Sequence, residues 1–328
     1  MARLERTSVV LPEFTFLTVP TCISIHVVKH MSLFTYGGEM VNEGSKAVLI
    51  TGAGGGIGSA AVEAFAARGY RVYAGVRTLE SARFGQANVV PVELDVTDSA
   101  CVRHALDAVA ADRGPAGLQV LVNNAGVIVQ GPLELVSEAE LHRQFDINVY
   151  GPHRVTAAAL PLLRAGGGRV INISAASART AMPYLGPISA SKAALESLSH
   201  AARVELAPWG IPVSVVEPGA IATPIFAKAE THARETLALA DPDRVELYRS
   251  GLAAVEKALV EQKTRPVGTV VDAILRAARA RRPKDCYVAS SDARMLRMLA
   301  YLPFRLRDRV IAGALGLGKL EVTPGAAR

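Results

Sequence analysis

From Lys46 onward, short continuous apolar runs alternate with longer stretches in which apolar residues recur every three or four positions. The short runs read as strands buried on both faces, and the longer stretches as helices with one buried side. KAVLIT (46–51), RVYAGV (71–76), VVPVEL (89–94), LQVLVNN (118–124), GRVINIS (168–174) and IPVSVVEP (211–218) predict six strands, with a short seventh at Cys286 to Ala289. Between them the spacing predicts helices over Ile57 to Arg68, closed by Gly69, and from an Asp98 cap to about Asp112. A long helix is expected from Ser137, bent or divided by Pro152 and Pro161, and another over Pro187 to Leu206. This alternation predicts an α/β fold with one doubly wound parallel sheet and helices on both faces. No repeat or composition break divides residues 46–290, which are expected to form one domain.

Three segments depart from the pattern. Residues 221–265 are rich in Ala, Leu and Glu with helical periodicity, and come directly after the sixth strand. An insertion there belongs over the carboxyl ends of the strands, as a lid on whatever binds. In residues 291–328, the stretch ARMLRMLAYLPFRLRDRVIAGALGL sets Leu and Met at spacings of three and four among arginines. It reads either as a helix packed on the domain or a dimer partner, or as an interfacial membrane contact. Residues 1–45 lack the strand and helix alternation of the rest of the chain. FTFLTVPTCISIHVV (14–28) is apolar but interrupted and short for a span, and Met40 is a candidate start. An upstream or disordered extension, a membrane-contacting segment and a targeting peptide all remain open for it.

Composition narrows the classes. The 328 residues are 50% apolar and 20% charged, ordinary for a soluble globular protein. The net charge of +6 concentrates late, with ten Lys and Arg against three Asp over residues 276–309. That stretch carries no nucleic-acid motif and few aromatic residues, so no nucleic-acid partner is expected. Cys22, Cys101 and Cys286 lie far apart and form no metal-ligand spacing, which predicts a reducing, cytoplasmic setting and no metal site.

TGAGGGIG, Thr51 to Gly58, lies between the first strand and the first helix. Glycines at 52, 56 and 58 allow a tight turn and a close backbone approach to a pyrophosphate at a helix N-terminus. Their G-x-x-x-G-x-G spacing differs from the commoner dinucleotide fingerprint. With LDVTD around Asp95, NNAG at 123–126, NVYG with Asn148, Lys192 after the fifth strand and PGAIAT at 218–223, the chain resembles the short-chain dehydrogenase/reductase family over roughly residues 46–290. The resemblance implies a Rossmann-type sheet. It also implies cofactor contacts from Thr51, Gly52, Gly56, Ile57 and Gly58, from Asp95 and Val96 at the adenine, and from Asn124, Ala125 and Gly126. Lys192 would meet the nicotinamide ribose, and Pro218, Gly219 and Thr223 would border the nicotinamide. The second strand ends in Val76 followed by Arg77, where an acidic residue would select NAD(H). A guanidinium there pairs with a 2′-phosphate, so NADP(H) is favoured over NAD(H), although Gly54 and Gly55 add no second basic residue.

The family's proton donor is a tyrosine one helical turn before the lysine, and a serine thirteen residues earlier holds the substrate oxygen. Lys192 and Asn148 are present, but these two positions are Ile188 and Ala175. Tyr184, on the loop before the helix, is the candidate substitute. Ser174, Ser189 and Ser191 are expected to point elsewhere. Three functions stay open: an oxidoreductase of a lipophilic alcohol or ketone, a non-redox cyclase or dehydratase reusing the cleft, and a cofactor-binding but inert regulatory subunit. The apolar insertion points to a hydrophobic small-molecule substrate, and the resemblance implies a homo-dimer or tetramer.

Overall fold

The computed structural model describes residues 46–319, and the expectations for residues 1–45 lie outside them. Seven parallel strands form one sheet in the order β3-β2-β1-β4-β5-β6-β7. They are β1 (Ala47–Thr51), β2 (Arg71–Val76), β3 (Val89–Glu93), β4 (Val120–Asn123), β5 (Arg169–Ile173), β6 (Val213–Glu217) and β7 (Cys286–Val288). Side-chain alternation along β1 shows why its run is continuously apolar: Val48 and Ile50 enter one core, Ala47 and Leu49 the other. The first core is closed by α1 (Gly56–Ala66) and α8 (Gly268–Arg279), the second by α2 (Ser99–Arg113) and α4 (Gly151–Gly166). Chain order reverses direction between β1 and β4, so a crevice opens at their carboxyl ends.

Local chemistry sets the helix ends. Asp98 accepts the Ala100 and Cys101 amides and starts α2 as its position in the sequence implies. The helix expected from Ser137 divides, but not simply at a proline. α3 (Glu138–Phe145) runs into a π turn (Asp146–Tyr150) before Pro152 opens α4, and Pro161 lies within α4. The wider turn places Asn148 inside, fully buried, with Gln144 one turn earlier. After β5 comes α5 (Gly186–Glu205).

The segment after β6 folds as α6 (Ile225–Ala238) and α7 (Pro242–Glu261). Its base is closed where Ile221 bridges Arg265, with backbone bonds from Ala222 N to Arg265 O (2.9 Å) and Arg265 N to Ala220 O (2.8 Å). The far side is fastened to the loop before α3 and to α3 itself. Arg244 and Tyr248 of α7 both bond the Glu134 carboxylate, at 3.0 and 2.6 Å, and His232 of α6 meets Glu140 at 2.6 Å. The described chain ends in α9 (Ser291–Leu299), α10 (Phe304–Ala314) and a short turn. Among the described residues no helix is long and apolar enough to cross a membrane.

The two-sided core makes a direct prediction. Leu163 is fully buried in the second core, whereas Leu239 is 89% exposed. Leu163→Ala should lower the unfolding free energy by about 2–5 kcal/mol. Leu239→Ala should stay within about 0.5 kcal/mol in the same denaturant titration. Equal losses would mean that the sheet faces do not carry the stability.

Candidate functional site

The glycine loop and the NNAG segment meet at the crevice with almost no side chain between them. Gly52 has φ +64°, and a Cβ there would stand 2.8 Å from Ala125 Cα. A Cβ on Gly58 would stand 2.2 Å from the Gly52 carbonyl oxygen. Thr51 Oγ1 accepts the amides of Asn124 and Ala125, each at 3.0 Å, while Asn124 Nδ2 donates to the Thr51 and Gly52 carbonyls. A Cβ on Gly56 would lie 2.7 Å from Thr223 Cγ2, so the turn after β6 closes on the same loop.

These residues fit a dinucleotide. α1 begins at Gly56 behind an N-cap Gly55 that supplies no side-chain cap, and its first turn holds no acidic residue. The first-turn amides, those of Gly56, Ile57 and Gly58, therefore lack a side-chain acceptor, as an anion-binding helix end requires. Gly54 and Gly55 are exposed, and a Cβ on Gly54 would lie 4.0 Å from Val76, so the loop runs beside the end of β2. Arg77 next to it is exposed and makes no ion pair among the described residues. Asp95 holds Thr97 through Oδ1 at 2.9 Å (amide) and 2.7 Å (hydroxyl), and its other oxygen carries no bond among the described residues. Val96 is buried, and its carbonyl accepts from Arg154.

The inner face of α5 has an unusual polarity. Ile188, Ser191, Lys192, Leu195, Glu196 and Ser199 recur at helical spacing and are all buried. Each polar member is satisfied. Lys192 Nζ donates to the Ile173 carbonyl at 2.7 Å, and burial lowers its pKa to about 8. The nearby Glu196 carboxylate opposes that shift, and burial raises the Glu196 pKa in turn. A Cβ on Gly126 would lie 3.7 Å from Lys192 Nζ, so the ammonium faces the NNAG segment. Asn148 accepts the Val127 amide at 2.9 Å and donates to its carbonyl at 3.0 Å, which holds the chain beyond that segment.

Neither position beside the lysine offers a hydrogen bond. Ile188 is 7% exposed in the first turn of α5, and Ala175 ends the extended stretch after β5. The serines are committed elsewhere. Ser174 donates to Glu196 (2.7 Å), Ser189 to the Leu185 carbonyl (2.8 Å) and Ser191 to the Ile188 carbonyl (2.9 Å). Tyr184 lies outside α5 in the left-handed region (φ +63°), with its carbonyl accepting the Gly131 amide at 2.8 Å. Its phenol makes no hydrogen bond among the described residues, and burial raises its pKa.

Sequence reasoning did not anticipate the polar cluster that ties α9 to the strand ends. Glu217, 1% exposed, binds Arg179 (3.1 Å) and Arg297 (3.2 Å), and Arg179 also reaches Glu196. Asp292 Oδ2 accepts the Ala220 amide at 2.8 Å and packs so tightly on Gly219 that a Cβ there would stand 1.8 Å from it. The one sequence signal was Glu196, a helical turn after Lys192 on the same face.

Comparison with known proteins places this geometry. The chain is 34% identical to the NADPH-dependent 3-dehydrocapnine reductase of Ornithobacterium rhinotracheale, over 80% of this chain and 94% of that protein. It is 32% identical to mouse retinol dehydrogenase 5, over 82% of this chain and 88% of that protein. Among solved structures, a short chain dehydrogenase from Burkholderia cenocepacia in complex with NADP superposes with a TM-score of 0.64 at 30% identity, covering 82% of this chain and 98% of that one. The short chain dehydrogenase family profile matches residues 46–234, more than half of the sequence. The chain thus belongs to the short-chain dehydrogenase family.

Proposed function

We propose that the protein binds NADP(H) and is an oxidoreductase of a lipophilic alcohol or ketone whose turnover is limited by proton delivery. The observation that carries this reading is the buried Lys192 ammonium, kept on the Ile173 carbonyl and facing the NNAG segment, while Ile188 and Ala175 stand beside it. Bound nicotinamide supplies or accepts the hydride. In the reducing direction, the carbonyl carbon gains that hydride and the oxygen must gain a proton.

The chain's own groups divide the work unevenly. The uncapped end of α1 and Arg77 hold the phosphates, and Asp95 receives the adenine amino group. Lys192 donates to the nicotinamide ribose, a binding task that needs no tyrosine partner. At the substrate oxygen, Ile188 and Ala175 donate nothing. The proton then comes from solvent, from Lys192 or from Tyr184, whose phenol is uncommitted among the described residues. A similar protein named as a 3-dehydrocapnine reductase and another named as a retinol dehydrogenase favour a lipophilic substrate. The α6–α7 segment, fastened to Glu134 and Glu140, serves as its lid. Exposed Leu198, Val204 and Trp209 on and just after α5 suit a homo-oligomeric contact. A second reading, an inert cofactor-binding subunit, rests on the same two replaced positions. A non-redox cyclase or dehydratase is the third.

Three measurements test this assignment. Fluorescence titration should show NADPH binding, with Arg77→Ala weakening NADPH by about ten- to a hundredfold and NADH little. Absence of NADPH binding would remove the cofactor assignment. The double variant Ala175→Ser, Ile188→Tyr should reduce lipophilic ketones on the order of 10² to 10⁴ faster than the wild type. Equal rates would contradict limited proton delivery and direct attention to Tyr184→Phe. NADPH affinity should also fall as pH rises through about 8, because the Lys192 ammonium that faces the anionic cofactor is lost there. Lys192→Met should remove that step, and a profile identical to wild type would exclude the role.

A further inference from the structure

The corner between α9 and α10 exposes more apolar surface than packing accounts for. α9 turns Ala293 and Leu296 inward, and the Leu296 carbonyl accepts Thr180 Oγ1 at 2.9 Å. Its opposite stripe, Ser291, Arg294, Met295 and Met298, faces out, with Met298 71% exposed. Tyr301 in the connecting turn is 80% exposed and Phe304 at the start of α10 is 72% exposed. α10 touches the body mainly through Ile311 and Leu315, while Leu306 and Val310 form a second, outward apolar stripe. A helix of a soluble protein gains nothing from apolar residues on its solvent side, and clustered patches of this kind mark contact sites.

Charge identifies the occupant. Arg294, Arg305 and Arg309 border the patch, are exposed and have no ion-pair partner among the described residues. The one exposed carboxylate over residues 293–319, Asp308, lies against Arg307, whose guanidinium stacks over the Phe304 ring at 4.5 Å from its centroid. An aromatic and methionine tip ringed by unpaired guanidiniums matches the headgroup boundary of an anionic bilayer, where aromatic rings settle and each arginine gains from the surface potential. We propose that the α9–α10 corner docks on anionic lipid membranes, with Met298, Tyr301 and Phe304 entering the interface and Arg294, Arg305 and Arg309 meeting lipid phosphates and carboxylates.

The position of the corner gives this contact a consequence. α9 is bolted to the strand ends of the candidate site by Asp292 on the Ala220 amide and by Arg297 on Glu217. Docking therefore holds the carboxyl ends of β5 and β6 one helix away from the lipid. A substrate that partitions into membranes would then reach the cleft without crossing water. This consequence for substrate rests on the proposed function; the docking does not.

Vesicle co-sedimentation of the full chain tests the docking without requiring any turnover. Vesicles of phosphatidylcholine containing phosphatidylserine should bind the protein, and vesicles of phosphatidylcholine alone should bind it at least about tenfold less. The triple variant Met298→Ser, Tyr301→Ser, Phe304→Ser and the triple variant Arg294→Gln, Arg305→Gln, Arg309→Gln should each lose about tenfold or more, with unchanged thermal unfolding as the check on folding. Absence of binding to phosphatidylserine vesicles would overturn the proposal. So would binding that survives both triple variants but disappears with residues 1–39 removed. A concentration-dependent dimer abolished by the apolar triple variant, with no vesicle binding, would assign the surface to a second copy of the chain instead.

Discussion

The closeness of two backbones at the β1/β4 switch point constrains everything built above it. Gly52 can approach Ala125 only because it has no side chain and adopts a positive φ, and Gly58 reaches the Gly52 carbonyl for the first of those reasons. Thr51 and Asn124 then lock the two segments with four hydrogen bonds. The uncapped end of α1, the Thr223 turn and the Lys192 ammonium are all positioned relative to that junction. A side chain at Gly52, Gly56 or Gly58 would force the facing segments apart and disturb the cradle. The cofactor side is therefore built with little tolerance, which agrees with membership in a family defined by nicotinamide chemistry.

The other side of the cleft is built differently. Burying Lys192 costs free energy, seen in its lowered pKa, and the Ile173 carbonyl and nearby Glu196 offset only part of it. A buried ammonium that bonds one backbone carbonyl and lies near one carboxylate is costly to keep without a ligand to hold. The proposed ribose contact would supply that ligand. Ile188 and Ala175, by contrast, offer no donor. On the proposed reading the site binds better than it protonates, and the proposed docking of the α9–α10 corner would set this cleft beside a membrane.

Much of this was legible in the sequence because it depends on local rules. The double alternation of β1 explains a continuous apolar run, and the Asp98 cap and the Gly52 turn are fixed by single residues. The positions of Ile188 and Ala175 come from counting along one helix and one strand. The π turn at 146–150 was not legible, since it precedes Pro152 and no residue pattern along the helix marks the wider turn that carries the buried Asn148. In the polar cluster, Glu217 lies 38 positions from Arg179 and 80 from Arg297, and no pattern along the chain links them. For the C-terminal segment, periodicity showed amphipathicity but not which stripe would pack; the structure buries Ile311 and Leu315 and leaves Met298, Tyr301 and Phe304 outside.

The claim at the centre is that the protein holds its cofactor correctly but protonates its product poorly. Single-turnover oxidation of prebound NADPH by a lipophilic ketone, compared in H2O and D2O, addresses it directly. The expected result is a slow oxidation with a solvent isotope effect well above one. Oxidation with no solvent isotope effect but a full primary effect from deuterated NADPH would contradict it, as would bound NADPH that is never oxidised.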